Sequence, residues 1–316
     1  MPVFKIHHIT KYEYDRPVRE SVNEIKIYPY AGAGHETLSH ELSITGQPGI
    51  LNFFDYWGNK TGVFNLLPLH KELIIESKLI LRTTAPDEVQ INYTAGFDDL
   101  NNEMADNLTL IELVETSVVK NQNAINDIIQ KITSDTASIG VIVANCSAYI
   151  YKEFKYIKGI TNIETTVDEI LEKRAGVCQD FAHLMLRVLR TLKIPSRYVS
   201  GYICPNKKGV RGEGATHAWV EVYITGSGWM GIDPTNNLWI SNNHVKLAIG
   251  RDFADCSPVK GTFKGPAHQK LSVFVSIGYE DGHLFEEMNN VHMDTHPELV
   301  EELVDESFAA QQQQQQ

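Results

Sequence analysis

Apolar and polar positions alternate along much of the first 90 residues. Such alternation is typical of half-buried β-strands, whose side chains point to opposite faces at successive positions. The alternating runs are residues 4–14, 24–28, 38–44 and 71–82. Between them, the segment 55–59 contains Gly58 and Asn59, which tolerate positive φ and therefore indicate a turn. The pattern predicts a β-rich N-terminal domain over residues 1–90.

A helical period replaces the alternation further along the chain. Residues 91–138 are rich in polar side chains and are predicted to form a connecting region with helical segments, followed by a longer helix from about 139 to 156. Thr166 and Glu169 have the spacing of a capping box, which starts another helix, and Gly176 is its expected C-terminal glycine. The next helix is predicted to begin around Cys178, with apolar residues at helical spacing.

Alternation returns over residues 215–235, where two short strands flank a glycine-containing turn at 226–228. This arrangement predicts a β-hairpin. His217 lies eight residues before Thr225, and Asp233 lies eight residues after it. A hairpin centred on Thr225 would therefore place His217 opposite Asp233, with their Cβ atoms about 5 Å apart on one face of the sheet.

The C-terminal part of the chain, residues 266–316, has a different pattern. It predicts a strand at 271–279, an acidic helix that begins near Thr295, and a disordered glutamine tail at 311–316. The chain is thus divided into an N-terminal domain (1–90), a connecting region (91–138), a core (139–265) and this C-terminal part.

The composition fits a soluble globular protein, since 42% of the 316 residues are hydrophobic and 22% are charged. The formal net charge of −12 argues against nucleic acid or an anionic membrane surface as the main partner. The N-terminus lacks the basic and apolar regions of a secretion signal, and no apolar run approaches the length of a membrane span. We therefore expect a cytoplasmic protein whose four cysteines stay reduced.

One cysteine, Cys178, lies between the end of one predicted helix and the first turn of the next. The free amides and the macrodipole of a helix N-terminus favour an anion, so a thiolate is expected there. Asp233 can accept a hydrogen bond from one nitrogen of His217 and leave the other nitrogen for the thiol. Each residue alone also fits a structural role. Together they predict a nucleophile (Cys178), a base (His217) and an orienting acid (Asp233).

The second half of the chain contains several ordered motifs: R-A-G-V-C-Q-D-F-A-H-L at 174–184, I-P-S-R-Y-V-S-G-Y at 194–202, H-A-W-V-E-V at 217–222, G-I-D-P-T-N at 231–236 and G-R-D-F-A-D-C-S-P-V at 250–259. These motifs resemble the bacterial transglutaminase-like family, whose members are described as candidate cysteine proteases. The run H-I-T-K-Y-E-Y at 8–14, with residues 55–59, is similar to the β-rich region that precedes the core in these proteins. The resemblance extends over most of the chain up to about residue 265.

The resemblance implies an α+β fold with a papain-like core. In it, the helix that carries Cys178 packs against an antiparallel sheet that carries His217 and Asp233, and the family's catalytic roles fall on these three residues. The Cys178 N–H, at a helix start, is a candidate oxyanion donor. In the helix predicted over residues 139–156, family members commonly carry Trp where this chain has Tyr149. Residues expected to support the oxyanion site are Tyr149, Gln179 and Trp219.

These residues predict a cysteine-dependent amide-bond enzyme that forms a thioester with a peptide or protein substrate. Water resolves the thioester in a peptidase or amidase, whereas an amine resolves it in a transglutaminase. The residues fit both acceptors, and hydrolysis is preferred because water is the default nucleophile. The alternative from another class is a non-catalytic peptide- or partner-binding module. No metal or cofactor is expected, because His35 and His40 lack the spacing of a zinc-binding helix and no nucleotide-binding motif occurs.

Overall fold

The protein combines an N-terminal β-sheet with a core of helices and a second sheet. The computed structural model describes residues 2–86, 89–134, 138–204, 210–212, 215–279 and 284–291. Its strands are β1 (Val3–Ile25), β2 (His35–Ile44), β3 (Leu51–Phe54), β4 (Lys60–Leu66), β5 (His70–Thr83), β6 (Lys155–Tyr156), β7 (Ala175–Gly176), β8 (Ser196–Ile203), β9 (Ala215–Ile224), β10 (Gly228–Asp233), β11 (Leu238–Trp239), β12 (His244–Gly250), β13 (Val259–Lys264), β14 (Gln269–Tyr279) and β15 (Leu284–Val291). Its helices are α1 (Phe97–Met104), α2 (Leu108–Glu112), α3 (Gln122–Thr133), α4 (Ile139–Glu153), α5 (Val167–Lys173), α6 (Cys178–Thr191) and α7 (Phe253–Cys256).

The long strand β1 lies at the centre of the N-terminal sheet. Its first half pairs antiparallel with β5 on one side and β14 on the other, and its second half pairs with β4 and β13. Phe4, Ile6 and His8 are buried, as the alternation along β1 predicts. Because β13 and β14 follow the strands of the second sheet in the chain, these later strands complete the sheet that β1 begins.

The core sheet contains five antiparallel strands in the order β11-β10-β9-β8-β12, and α6 packs on β9 and β8. The buried face of α6 includes Phe181, Met185 and Leu189, which pack in one cluster with Ile142 of α4 and Ile128 of α3. Each such side chain contributes about 1.5–3 kcal/mol when fully buried. This packing fixes the first turn of α6 against the sheet.

Apolar side chains of β1 and β5 pack on those of β8 and β12, and this layer joins the two sheets. Two polar contacts also connect the two sheets. The Asn59 side chain donates to the Ile249 carbonyl and accepts from the Ile249 N–H, both at 2.8 Å. His8 Nδ1 lies 2.8 Å from the Tyr202 hydroxyl. The predicted turn at 55–59 therefore docks the N-terminal sheet on the core.

The α+β fold class is confirmed, and the capping box of α5 forms as predicted, since the Thr166 N–H donates to Glu169 Oε2 at 2.8 Å. The prediction that Gly176 ends α5 is wrong. Arg174 adopts the left-handed conformation there, with φ of 50°. Gly176 is instead needed for close packing, because a Cβ at this position would lie 2.7 Å from the Cβ of Asp180.

The predicted connecting region packs against the core. Helices α1 and α3, within the predicted connecting region, contribute buried residues to the core cluster. The proposed boundaries at 90, 138 and 265 stay predictions. The acidic helix near Thr295 and the glutamine tail lie outside the described residues. In the described part of the chain, every helix is too short or too polar to cross a membrane.

Candidate active site

Cys178 is the first residue of α6 and is partly exposed. A local network fixes the turn to which it belongs. Asp180 Oδ2 accepts hydrogen bonds from the Val177 N–H at 2.7 Å and from the Thr161 hydroxyl at 2.6 Å. The first amides of a helix, including the Cys178 N–H, have no partner within the helix. The network therefore presents the sulfur and free amides of the helix start at one place.

His217 and Asp233 meet within the core sheet. Nε2 of His217 lies 2.8 Å from Oδ2 of Asp233, and both side chains are fully buried. The predicted contact is present, but the predicted register is wrong. Ile232 pairs with Val220. Continuing that register sets Asp233 opposite Trp219 and diagonal to His217. Because side chains two residues apart share a face of a strand, the shift leaves the two functional side chains on the same face.

The turn that follows β10 holds Asp233 in place. Oδ1 accepts from the Thr235 N–H at 2.8 Å, and Oδ2 accepts from Asn236 Nδ2 at 2.7 Å as well as from His217. Burial alone would raise the pKa of Asp233, but the charge and hydrogen bond of His217, with a smaller contribution from His244, hold that pKa well below its ordinary value. Asp233 is therefore ionised at neutral pH, as an orienting acid must be.

The electrostatics of the site favour a charged His217. Burial alone would lower its pKa, but the Asp233 carboxylate and the Cys178 sulfur outweigh burial and raise the pKa of His217 to about 10. Since Nε2 bonds to Asp233, Nδ1 is left for the thiol. Nδ1 has no other hydrogen-bond partner among the described residues, and the Cys178 sulfur raises the pKa of His217 through its charge and through a side-chain hydrogen bond. Gly212 packs closely against the His217 ring, because a Cβ at position 212 would lie 3.3 Å from Nδ1.

The three predicted supporting residues have separate environments. The Tyr149 hydroxyl accepts a hydrogen bond from Arg174 Nη1 at 3.4 Å. Gln179 donates from Nε2 to the Ile163 carbonyl at 3.5 Å. Trp219 is 1% exposed and stacks on the imidazole of the site, with ring centroids 6.5 Å apart and planes 28° apart. Trp219 thus packs on the His217 ring, and the supporting or oxyanion roles of all three residues stay predictions.

Sequence reasoning missed a fourth residue of this cluster, His244, at the start of β12. Its Nε2 lies 3.6 Å from Asp233 Oδ2, and its ring lies 6.1 Å from the His217 ring. Burial lowers the pKa of His244, against the opposing effect of the Asp233 carboxylate, so the ring is neutral at neutral pH. No sequence motif marks His244. Its strand, β12, joins the sheet beside β8, on the side away from β10, so its approach to Asp233 depends on how the whole sheet packs.

His217, Asp233 and His244 also raise the question of a metal. Each offers one ligand atom, and these atoms lie within 4.8 Å of one another. Two imidazoles and a carboxylate are a donor set that zinc accepts. However, Asp233 Oδ2 is already occupied by the hydrogen bonds from His217 and Asn236. The geometry is that of a hydrogen-bonded chain of side chains, and we assign no metal to it.

The other three cysteines have a different environment from Cys178. Cys146, Cys204 and Cys256 are buried. Burial raises the pKa of Cys146 to about 12 and also raises the pKa values of Cys204 and Cys256. These thiols therefore behave as small apolar side chains. Cys178 is the cysteine that combines partial exposure with a neighbouring imidazole.

Comparison with known proteins identifies the family. Residues 125–234 match the core of the transglutaminase-like superfamily, and residues 4–82 match the bacterial transglutaminase-like N-terminal region. An uncharacterized protein of Mycobacterium leprae is 30% identical over 278 residues, which are 86% of this chain and 97% of that protein. The chain belongs to the transglutaminase-like superfamily. The resemblance predicted from its motifs is confirmed, and Cys178, His217 and Asp233 all fall within the matched core.

Two further proteins are similar to this transglutaminase-like chain. A candidate cysteine protease from Cytophaga hutchinsonii has a TM-score of 0.67 and 24% identity, over 94% of this chain and 93% of that one. At this identity the likeness concerns the fold. A protein-glutamine gamma-glutamyltransferase of Pseudomonas aeruginosa is 35% identical over 80 residues, which are 24% of this chain and 12% of that protein.

Proposed function

We propose that the protein is a cysteine-dependent amide-bond enzyme of the peptidase or amidase type that acts on a peptide or protein. The observation that carries the proposal is the buried His217–Asp233 pair, joined at 2.8 Å, beside the partly exposed Cys178 at a helix start. A purely structural His–Asp pair does not require a neighbouring thiol with free amides around it. The groups are in the order that nucleophilic catalysis requires.

In the proposed reaction, the Cys178 thiolate attacks the carbonyl carbon of the substrate amide. A C–S bond forms, and the carbonyl becomes a tetrahedral oxyanion that the free amides of the helix start stabilise. His217 donates its Nδ1 proton to the leaving nitrogen, the C–N bond breaks, and a thioester remains. Asp233 accepts the Nε2–H of His217 throughout and keeps the ring oriented.

The acceptor of the acyl group distinguishes two activities. When water attacks the thioester with His217 as base, a carboxylic acid is released and the enzyme is a hydrolase. When a primary amine attacks, a new amide forms and the enzyme is a transglutaminase. We place hydrolysis first, because Cys178 is partly exposed and water is the default nucleophile. The similarity over 80 residues to a protein-glutamine gamma-glutamyltransferase supports amine transfer as the second candidate.

The surface around the helix start supports a peptide substrate. The segment 157–163 borders it, since the Ile157 N–H donates to the Gly176 carbonyl at 3.0 Å. Ile157, Ile160 and Ile163 are between 37 and 41% exposed. Apolar side chains beside a nucleophile suit an apolar side chain of the substrate, as in most binding sites for organic ligands.

A screen with two arms tests the proposal. Peptides and glutamine-containing proteins are incubated with and without a primary amine, and Cys178→Ala serves as the blank. Mass spectrometry distinguishes backbone cleavage, deamidation and amine incorporation. We expect cleavage or deamidation without amine that disappears in the blank. Amine incorporation that exceeds hydrolysis would instead assign the transferase activity.

The non-catalytic binding module is tested by thiol reactivity. Iodoacetamide near neutral pH should label Cys178 faster than it labels a free cysteine, because a thiolate–imidazolium pair supplies the nucleophile. Asp233→Asn is the matched control and should slow the labelling. If Cys178 reacts like a free cysteine, and Cys178→Ala equals the wild type in every amide assay, the binding module is the better account.

A further inference from the structure

His244 takes no part in the reaction proposed above, yet it belongs to the same buried cluster. It is 6% exposed, and neither ring nitrogen has a hydrogen-bond partner among the described residues. A buried imidazole without a partner is unfavourable relative to one in water. Asp233 Oδ2, 3.6 Å from Nε2, lies just beyond direct hydrogen-bonding distance. The ring therefore has one polar neighbour to which it can donate.

The donors around Asp233 differ in where they come from. Thr235 and Asn236 bind the carboxylate at 2.8 and 2.7 Å, but they belong to the turn that follows Asp233 itself. They therefore fix the carboxylate only relative to its own strand. His217 approaches from β9, and His244 approaches from β12. His244 thus approaches the carboxylate from the opposite part of the core sheet.

Trp219 holds both imidazoles. Its ring stacks on His217 at 6.5 Å and meets His244 edge-on at 5.3 Å, with an interplanar angle of 73°. The indole lies over Gly201 of β8, where a Cβ would be 2.6 Å from Trp219 Cη2. Two imidazoles that pack on one buried indole and approach one carboxylate oxygen form a rigid unit.

We propose that His244 is a positioning residue that holds the Asp233 carboxylate, and through it the His217 ring, in line with Cys178. This proposal rests on the proposed function and deepens it. A neutral His244 with its proton on Nε2 places that N–H group 3.6 Å from Asp233 Oδ2, a long electrostatic contact that holds the carboxylate from a second strand when His217 gains or loses its proton. The titratable groups that face the two rings are Cys178 and Asp233.

The test measures how the rate of Cys178 alkylation by iodoacetamide depends on pH in the full-length protein. His244→Gln places an amide N–H near the position of Nε2, whereas His244→Asn places its amide near Nδ1 and cannot reach Asp233. The two variants are similarly polar, and a thermal melt checks that each is folded. Asp233→Asn, alone and combined with His244→Asn, completes a double-mutant cycle.

We expect His244→Asn to slow alkylation at about pH 6 by about tenfold, the lower end of the loss that follows removal of a partner that orients a metal-bound histidine. Its rate–pH curve should move to higher pH, because a misplaced carboxylate stabilises the imidazolium less and the thiolate then needs a higher pH to form. His244→Gln should restore the wild-type curve. In the Asp233→Asn background, His244→Asn should have no further effect on the curve, because the carboxylate on which it acts is gone.

Two outcomes would overturn the positioning role. Equal effects of the asparagine and glutamine variants would do so, and so would a His244→Asn effect that is the same size with and without the carboxylate at 233. Either result would reduce His244 to a packing residue while the reactivity of wild-type Cys178 stays intact. If wild-type Cys178 itself reacts like a free thiol, the proposed function fails and the positioning role fails with it.

Discussion

We predict that His8→Asn makes the stability of the protein less sensitive to acid. His8 lies on β1 and is 2% exposed, and its Nδ1 is 2.8 Å from the hydroxyl of Tyr202 on β8. Burial lowers the pKa of His8 to about 4, with a contribution from the neighbouring His7. The folded protein thus keeps this ring neutral at pH values where the unfolded chain protonates it.

The size of the effect follows from the two pKa values of His8, 6.5 in an unfolded chain and about 4 in the folded protein. Between these values the unfolded chain binds one more proton, so the free energy of unfolding decreases as the pH falls through this window. One pKa unit corresponds to about 1.4 kcal/mol, so the full effect is about 3 kcal/mol. At about pH 5, about 2 kcal/mol of it is already lost.

Urea denaturation at about pH 7.5 and about pH 5 measures this effect. Asparagine places an amide near Nδ1 of His8 and keeps a partner for the Tyr202 hydroxyl, without a titrating group. The destabilisation caused by His8→Asn should be smaller at the lower pH by about 2 kcal/mol. Tyr202→Phe is the matched control, because it removes the hydrogen bond and leaves the histidine buried, so its cost should be equal at both pH values. A His8→Asn cost that differs by less than about 0.5 kcal/mol between the two conditions would refute the reasoning.

Three further predictions concern the site and its sheet. Asp233→Asn should lower kcat about 10³–10⁴-fold, because the imidazole loses its orienting charge. Steady-state kinetics on a substrate from the screen measure the effect, and a decrease in kcat of less than about tenfold would contradict the prediction. Gly201→Ala should destabilise the protein by about 1–3 kcal/mol, because the added Cβ would lie 2.1 Å from a carbonyl oxygen of β12. An unchanged melting temperature would contradict this steric argument. Glu221→Gln should lower the free energy of unfolding by about 3–5 kcal/mol, because it leaves the nearly buried Arg197 and Lys246 without their counter-charge. A loss below about 1 kcal/mol in a urea titration would show that water solvates these two charges instead.

The contact between His217 and Asp233 could be predicted from the sequence, although the register that produces it could not. Gly226 and Gly228 adopt φ of 80° and 76°, and the turn forms around Gly226 rather than around Thr225. A sequence with two glycines this close together does not fix the centre of the turn. Because side chains alternate with a period of two, a shift of two residues in the pairing keeps the same side chains on the same face. The functional pair therefore survives the error.

Features that depend on pairing between distant segments could not be predicted in this way. His244 approaches the carboxylate of Asp233 from β12. In the core sheet, the strands β8 and β9 lie between β12 and β10, which carries Asp233. Hydrophobic period and turn residues identify strands, but the neighbour of each strand depends on how the whole chain packs. The predicted end of α5 is also wrong, because Arg174 adopts the left-handed conformation there, whereas the glycine two residues later packs closely against Asp180.

The pairing of β1 with β14 has a consequence for biosynthesis. Tyr12 pairs with Leu271, and Phe4 pairs with Tyr279, so one edge of β1 meets its partner only after the core that lies between the two strands in the sequence has been synthesised. Until then, that edge is open to pairing with strands of other nascent chains. The helices and strands of the core are synthesised in between, and they can fold first and provide the surface on which the N-terminal sheet closes. A chain that stops before Gln269 would keep the edge open permanently, and we expect such a truncated protein to aggregate.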